Sequence, residues 1–133
     1  MTIRPSLAAL LGAVFLALAA FSAGAVENAG PAKILREQDA GTTVDVSIGD
    51  VAEIRLAENP TTGYRWAMKP LDEKRCVLVR DEFIPPAGTA LGAGGERRWQ
   101  LRALASGNCD FEVVYSRSSG GEPRVYRVRL RIS

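Results

Sequence analysis

Beyond residue 43 the chain alternates apolar and polar side chains with a period of two. Val44, Val46 and Ile48 alternate with Asp45 and Ser47; after a turn at Gly49-Asp50, Ala52, Ile54 and Leu56 alternate with Glu53 and Arg55. Tyr64, Trp66 and Met68 alternate with Arg65 and Lys69 as far as Pro70. Successive side chains of a strand point to opposite faces, so each stripe predicts a strand with one covered side. Cys76 to Ile84 is a mixed run closed by Pro85-Pro86, as expected of a strand partly covered on both faces. Trp99 and Leu101, then Phe111, Val113 and Tyr115, then Tyr126, Val128, Leu130 and Ile132 complete the series. Turn signals separate the runs, notably Ser106-Gly107-Asn108. No stretch after residue 25 sustains a 3.6-residue period. About seven short strands with two inward stripes to bury predict an all-β fold, a sandwich of two antiparallel sheets.

The first residues carry a different pattern. Arg4 precedes an unbroken small and apolar run from Leu7 to Phe21, followed by Ala23-Gly24-Ala25 in the small-x-small form that signal peptidase cuts. The run falls short of the roughly 20 residues of a membrane-spanning helix, and no Cys follows it to carry a lipid. Residues 1–25 therefore read as a secretory signal peptide, 26–32 as a flexible lead and 33–133 as one domain. The protein is expected in the periplasm or outside the cell, as a monomer free of the membrane after cleavage.

Composition narrows the function. Lys and Arg number 17 and Asp and Glu 15, and losing Arg4 leaves the net charge one unit below the +2 of the full chain. That near-neutral balance argues against a nucleic-acid partner. There is no His, which removes Ser-His-Asp and Cys-His catalysis and His-ligated metals. No enzyme, cofactor or metal site is expected. The alternate arginines Arg127, Arg129 and Arg131 read as the solvated side of a strand, where charges also discourage edge pairing. Trp66 and Trp99 lie in register with apolar stripes and read as core. Cys76 and Cys109 can pair in an oxidising compartment; two separate buried thiols is the other reading, and the sequence leaves the choice open.

Three connections stand out against this scaffold. In Asn59-Pro60-Thr61-Thr62-Gly63-Tyr64, Asn-Pro opens a turn, Pro60 fixes its φ, Thr61 and Thr62 are stiff at χ1, and Gly63 supplies a backbone geometry other residues resist. Such a loop has little entropy to lose on docking. Gly92-Ala93-Gly94-Gly95, preceded by Leu91, permits close backbone approach, and no Gly-Lys-Ser/Thr follows to make it a phosphate loop. Arg117 to Pro123 is polar and carries two serines with no base to activate them.

Taken together with Trp66, Phe83-Ile84-Pro85-Pro86 and Tyr115-Ser116-Arg117, these loops resemble the chagasin family of cysteine peptidase inhibitors over residues 33–133. The resemblance implies an immunoglobulin-like sandwich acting as a reversible, competitive inhibitor, its three clustered loops filling the active-site cleft of papain-like cysteine peptidases. It places Thr61 nearest the peptidase's Cys-His pair, with Asn59, Pro60, Thr62 and Gly63 holding the loop's shape and Tyr64 anchoring its base. Gly92, Ala93, Gly94 and Gly95 would flank one side and Arg117 the other. Family members commonly follow the equivalent of Arg117 with Pro and an aromatic residue, whereas Ser118 and Ser119 stand here, which implies either a weaker third contact or one suited to a different peptidase. The alternative is a secreted immunoglobulin-like binding module without inhibitory activity.

Overall fold

The computed structural model describes Thr2, residues 30–88 and residues 93–133. The expected signal peptide, apart from Thr2, most of the lead, and Gly92 lie outside the described residues. Eight strands form among those described: β1 Lys33–Leu35, β2 Thr43–Val46, β3 Val51–Glu58, β4 Arg65–Met68, β5 Cys76–Ile84, β6 Gly95–Ala103, β7 Gly107–Ser116 and β8 Arg124–Ile132. They make two four-stranded sheets, one ordered β1-β3-β6-β5 and the other β2-β8-β7-β4. The sandwich is thus the one the alternation predicts, with one amendment. The edge strands β1 and β2 pair in parallel, with β3 and β8 respectively, so each sheet is mixed and the strands number eight. β1 spans only three residues, too few for a period to register in the sequence.

The inward stripes meet between the sheets. Ile54, Leu56, Trp99 and Leu101 from one sheet and Phe111, Val113, Val128 and Leu130 from the other are fully buried, each contributing about 1.5–3 kcal/mol of apolar burial for the larger side chains. The two cysteines are joined: Cys76 on β5 and Cys109 on β7 form a disulfide that ties one sheet to the other, with Cα atoms 6.2 Å apart.

Three local expectations are corrected. Ile48 is 54% exposed, because β2 stops at Val46 and Asp50 closes a turn by accepting the Ser47 amide at 2.9 Å. β7 begins at Gly107, so that residue is strand and the turn lies just before it; its φ of +125° disfavours any side chain, and the Arg75 guanidinium occupies the place a Cβ would take. Glu53 is not a solvated strand position. It is 3% exposed, and its carboxylate accepts from Arg55 Nε at 2.7 Å and Gln100 Nε2 at 3.1 Å.

Candidate functional site

Strand register brings the three singled-out loops to one end of the sandwich. Glu58, the last residue of β3, sits opposite Gly95, the first of β6; Arg65, the first of β4, sits opposite Ser116, the last of β7. β3 and β4 belong to different sheets, so Asn59–Tyr64 is the crossing between them. The β5–β6 connection flanks it from one sheet and the β7–β8 connection from the other. The contacts agree: a Cβ on Gly94 would lie 3.4 Å from Asn59 Cβ, and one on Gly63 would lie 4.0 Å from Arg117 Cβ.

The central loop is held by its own hydrogen bonds. Pro60–Thr62 forms one 3-10 turn; Asn59 caps it by accepting from Thr61 N at 3.2 Å and from Thr61 Oγ1 at 2.6 Å. Thr62 Oγ1 donates to Asn59 O at 2.7 Å and accepts from Tyr64 N at 3.3 Å. Gly63 closes the turn with φ +79°, a left-handed geometry that disfavours any side chain. Thr61, Thr62 and Gly63 are exposed, so the apex is presented while both threonine hydroxyls are engaged beneath it. No charge lies on the apex.

Below the loop a column of rings runs into the core. Tyr64 stacks on Tyr115 at 5.1 Å and Tyr115 on Trp66 at 4.6 Å; Trp66 meets Trp99 edge-on at 6.2 Å, and Trp99 meets Phe111. Polar ends of the rings tie down the loop and its stem: Asn59 N donates to Tyr115 OH at 3.1 Å, and Trp66 Nε1 donates to Ala57 O, near the end of β3, at 2.9 Å. Trp99 is core, and Trp66 is half-buried beneath the site. Arg117 covers the outer face of Tyr64, its guanidinium 4.9 Å from the ring centroid, while its Nε donates to Gly120 O at 2.5 Å. Arg117 therefore braces the central loop as well as bordering it.

The glycine-rich segment divides into two parts. Ala93 is half-buried and Gly94 exposed. Gly95 is the first residue of β6 and half-buried; a Cβ there would clash with Ile84 O and the Phe83 ring, so its lack of a side chain lets β5 and β6 close.

Sequence reasoning missed Glu58. Its side chain is fully buried, accepting from Trp66 N at 3.0 Å through Oε2 and from Arg97 Nη2 at 2.7 Å through Oε1. Arg97 also reaches Asp81 at 3.2 Å, and the Glu58 hydrogen bond raises its pKa above the ordinary arginine value. The alternation of β3, which puts Glu58 on the same face as Ile54 and Leu56, was the available signal.

The comparisons with known proteins agree with this arrangement. The profile of the Chagasin family peptidase inhibitor I42 matches residues 45–132. Chagasin of Trypanosoma cruzi is 32% identical over 81 residues, 58% of this chain and 74% of that protein. The crystal structure of the cysteine protease inhibitor EhICP2 from Entamoeba histolytica superposes with a TM-score of 0.66 at 29% identity, covering 78% of this chain and all of that one. PbICP-C, in a structure with falcipain-2, gives 0.61 at 14% identity over 76% of this chain and 99% of its own, a likeness of fold. Residues 45–132, with their three loops at one end of the sandwich, make this chain a member of the chagasin family of peptidase inhibitors.

Proposed function

We propose that this protein is a reversible, competitive inhibitor of papain-like cysteine peptidases, performs no catalysis itself, and works as an exported monomer in the periplasm or outside the cell. One observation carries the reading: an uncharged, internally hydrogen-bonded apex at Thr61–Gly63 projects between two flanking loops. Reactive cysteines of this class are low-pKa thiolates, so an apex without carboxylates can approach one without repulsion. A 3-10 turn also does not offer the extended backbone that a peptidase cuts. The loop can thus be held in the cleft as a shape, excluding water and substrate, and released intact. Three loops at one end of the domain suit the roughly 1,600 Å² of a standard protease–inhibitor interface. Export is supported by the signal-like run at 7–21 and by a buried disulfide, which persists in oxidising compartments.

Titrating the purified protein against papain and related peptidases, with substrate varied, tests this directly. Submicromolar inhibition with KM raised and kcat unchanged is expected. Gly63→Val, which strains the left-handed position, should weaken inhibition by on the order of a hundredfold at unchanged fold. Full inhibition by that variant would sink the docking mode, and no inhibition by the parent would leave a binding module of another kind.

A further inference from the structure

The geometry points to Glu58 as the positioning residue of the inhibitory loop: a buried carboxylate that buckles the outgoing strand β3, the incoming strand β4 and the neighbouring β6 together directly beneath Asn59–Tyr64. This inference rests on the proposed function and specifies what holds its central element in shape.

Three observations support it. Glu58 immediately precedes the loop, and the amide it accepts, Trp66 N, belongs to the second residue of β4, so one carboxylate spans both ends of the crossing between sheets. β4 is an edge strand whose partner is β7; the Glu58 carboxylate engages the Trp66 amide in place of a second strand. Its other oxygen is fixed by Arg97 on β6, which itself packs over Phe83 at 5.7 Å. The third observation separates positioning from stability. Arg97 Nε is buried and no protein atom among the described residues accepts from it. An ion pair with a fully buried carboxylate often adds less stability than a well-packed apolar pair would, and such pairs are retained in some proteins because they select one geometry. Here the geometry selected is the separation of the loop's two stems.

Glu53 supplies the control. It too is a buried carboxylate on β3, bound to Arg55 and Gln100, but it lies five residues before Glu58 and far from the loop. Glu58→Gln keeps shape and one acceptor while setting an NH2 against one of two donors. The expected result is faster amide exchange at Thr61, Thr62, Gly63 and Tyr64, whose four N–H groups are all hydrogen-bonded within the loop. Inhibition of papain should weaken by at least about tenfold below the melting transition, because the loop must then be ordered on docking. Glu53→Gln should lower stability and change neither. Glu58→Gln/Arg97→Gln, which restores a donor–acceptor match, should bring both readouts back toward the parent.

Equal loop exchange and equal inhibition constants in Glu58→Gln and Glu53→Gln would overturn the inference. If Glu58→Gln does not fold, Arg97→Lys, which keeps the charge and loses the guanidinium fork, is the second variant; parent-like exchange and inhibition there would overturn it equally. If the parent does not inhibit papain, the proposed function fails, and the exchange rates alone decide whether Glu58 orders the loop.

Discussion

Gly120 and Gly121 show how finely the third loop is fitted to the central one. Both have positive φ, +97° and +116°, but a Cβ on Gly120 would meet open space, whereas one on Gly121 would fall 2.4 Å from Tyr64 OH and 3.4 Å from Arg117 Nε. Replacing either by Ala costs roughly 1–2 kcal/mol in backbone strain. Gly121→Ala must in addition displace the Tyr64 hydroxyl, and so disturb the stack at the stem of the central loop. Inhibition of papain should therefore weaken on the order of tenfold in Gly121→Ala and less than about threefold in Gly120→Ala. Equal loss in both would show that the Tyr64 stack does not transmit to the apex. Arg117 enters the same argument: an exposed cation–π contact contributes about 0.5–1 kcal/mol, so Arg117→Ala should weaken inhibition several-fold through Tyr64 even where Arg117 touches no peptidase group.

Strands were the legible part of the sequence, and the reason lies in their two-residue period. β7 and β8 carry unbroken stripes from Phe111 to Tyr115 and from Tyr126 to Ile132, and both fold as read. Ion pairing between registers was not legible, because it depends on which strands become neighbours. Arg131 pairs with Asp45 at 2.5 Å, Arg129 with Asp110 at 2.7 Å and Arg127 with Glu112 at 2.8 Å, all on one outer face across β2, β8 and β7. The arginine row is thus a solvated face whose field is largely cancelled by its neighbours. Glu53 escaped for a related reason, since a carboxylate on the outward stripe of a strand looks solvated until its partners are known, whereas Glu58 was legible in principle from its place on the inward stripe of β3.

These pairs, though exposed and individually weak, tilt the stability of the fold on the acid side. The Arg131 hydrogen bond holds Asp45, and the Arg129 hydrogen bond holds Asp110, below the usual carboxylate range. Burial pushes the Glu53 carboxyl up, but hydrogen bonds from Arg55 and Gln100 outweigh it and the net shift is downward. A depressed folded-state pKa adds stability that is present above the unfolded value, about 3.9 for Asp and 4.3 for Glu, and is lost as pH falls through the folded value. With no histidine to titrate, the melting temperature should be flat from about pH 5 to 8 and fall below about pH 4. Asp110→Asn should shallow that acid slope; an unchanged slope in Asp110→Asn, or a break near pH 6 in the parent, would contradict this account.

The three-loop end and the covalent staple sit at opposite ends of the sandwich. Cys76 pairs with Ala103, eight residues along β6 from Gly95 at the loop end, and Cys109 lies seven residues before Ser116 along β7. At about 3.3 Å per residue the disulfide is roughly 25 Å from the three clustered loops. It closes a 33-residue segment, for which the chain-entropy account gives about 3–4 kcal/mol, a large share of the 5–15 kcal/mol typical of a domain. Replacing both cysteines by alanine should lower the melting temperature by roughly 15–25 °C. Sites this far apart act independently when no shared partner links them. The double variant, assayed where it is still folded, should inhibit papain within about twofold of the parent. That separation matters in practice, because a cysteine peptidase is assayed in thiol reductant, which would attack the inhibitor's own disulfide once the chain opens. Tenfold weaker inhibition by a folded Cys76→Ala/Cys109→Ala variant would show that the staple tensions the loops, and that the two ends of the sandwich are mechanically one.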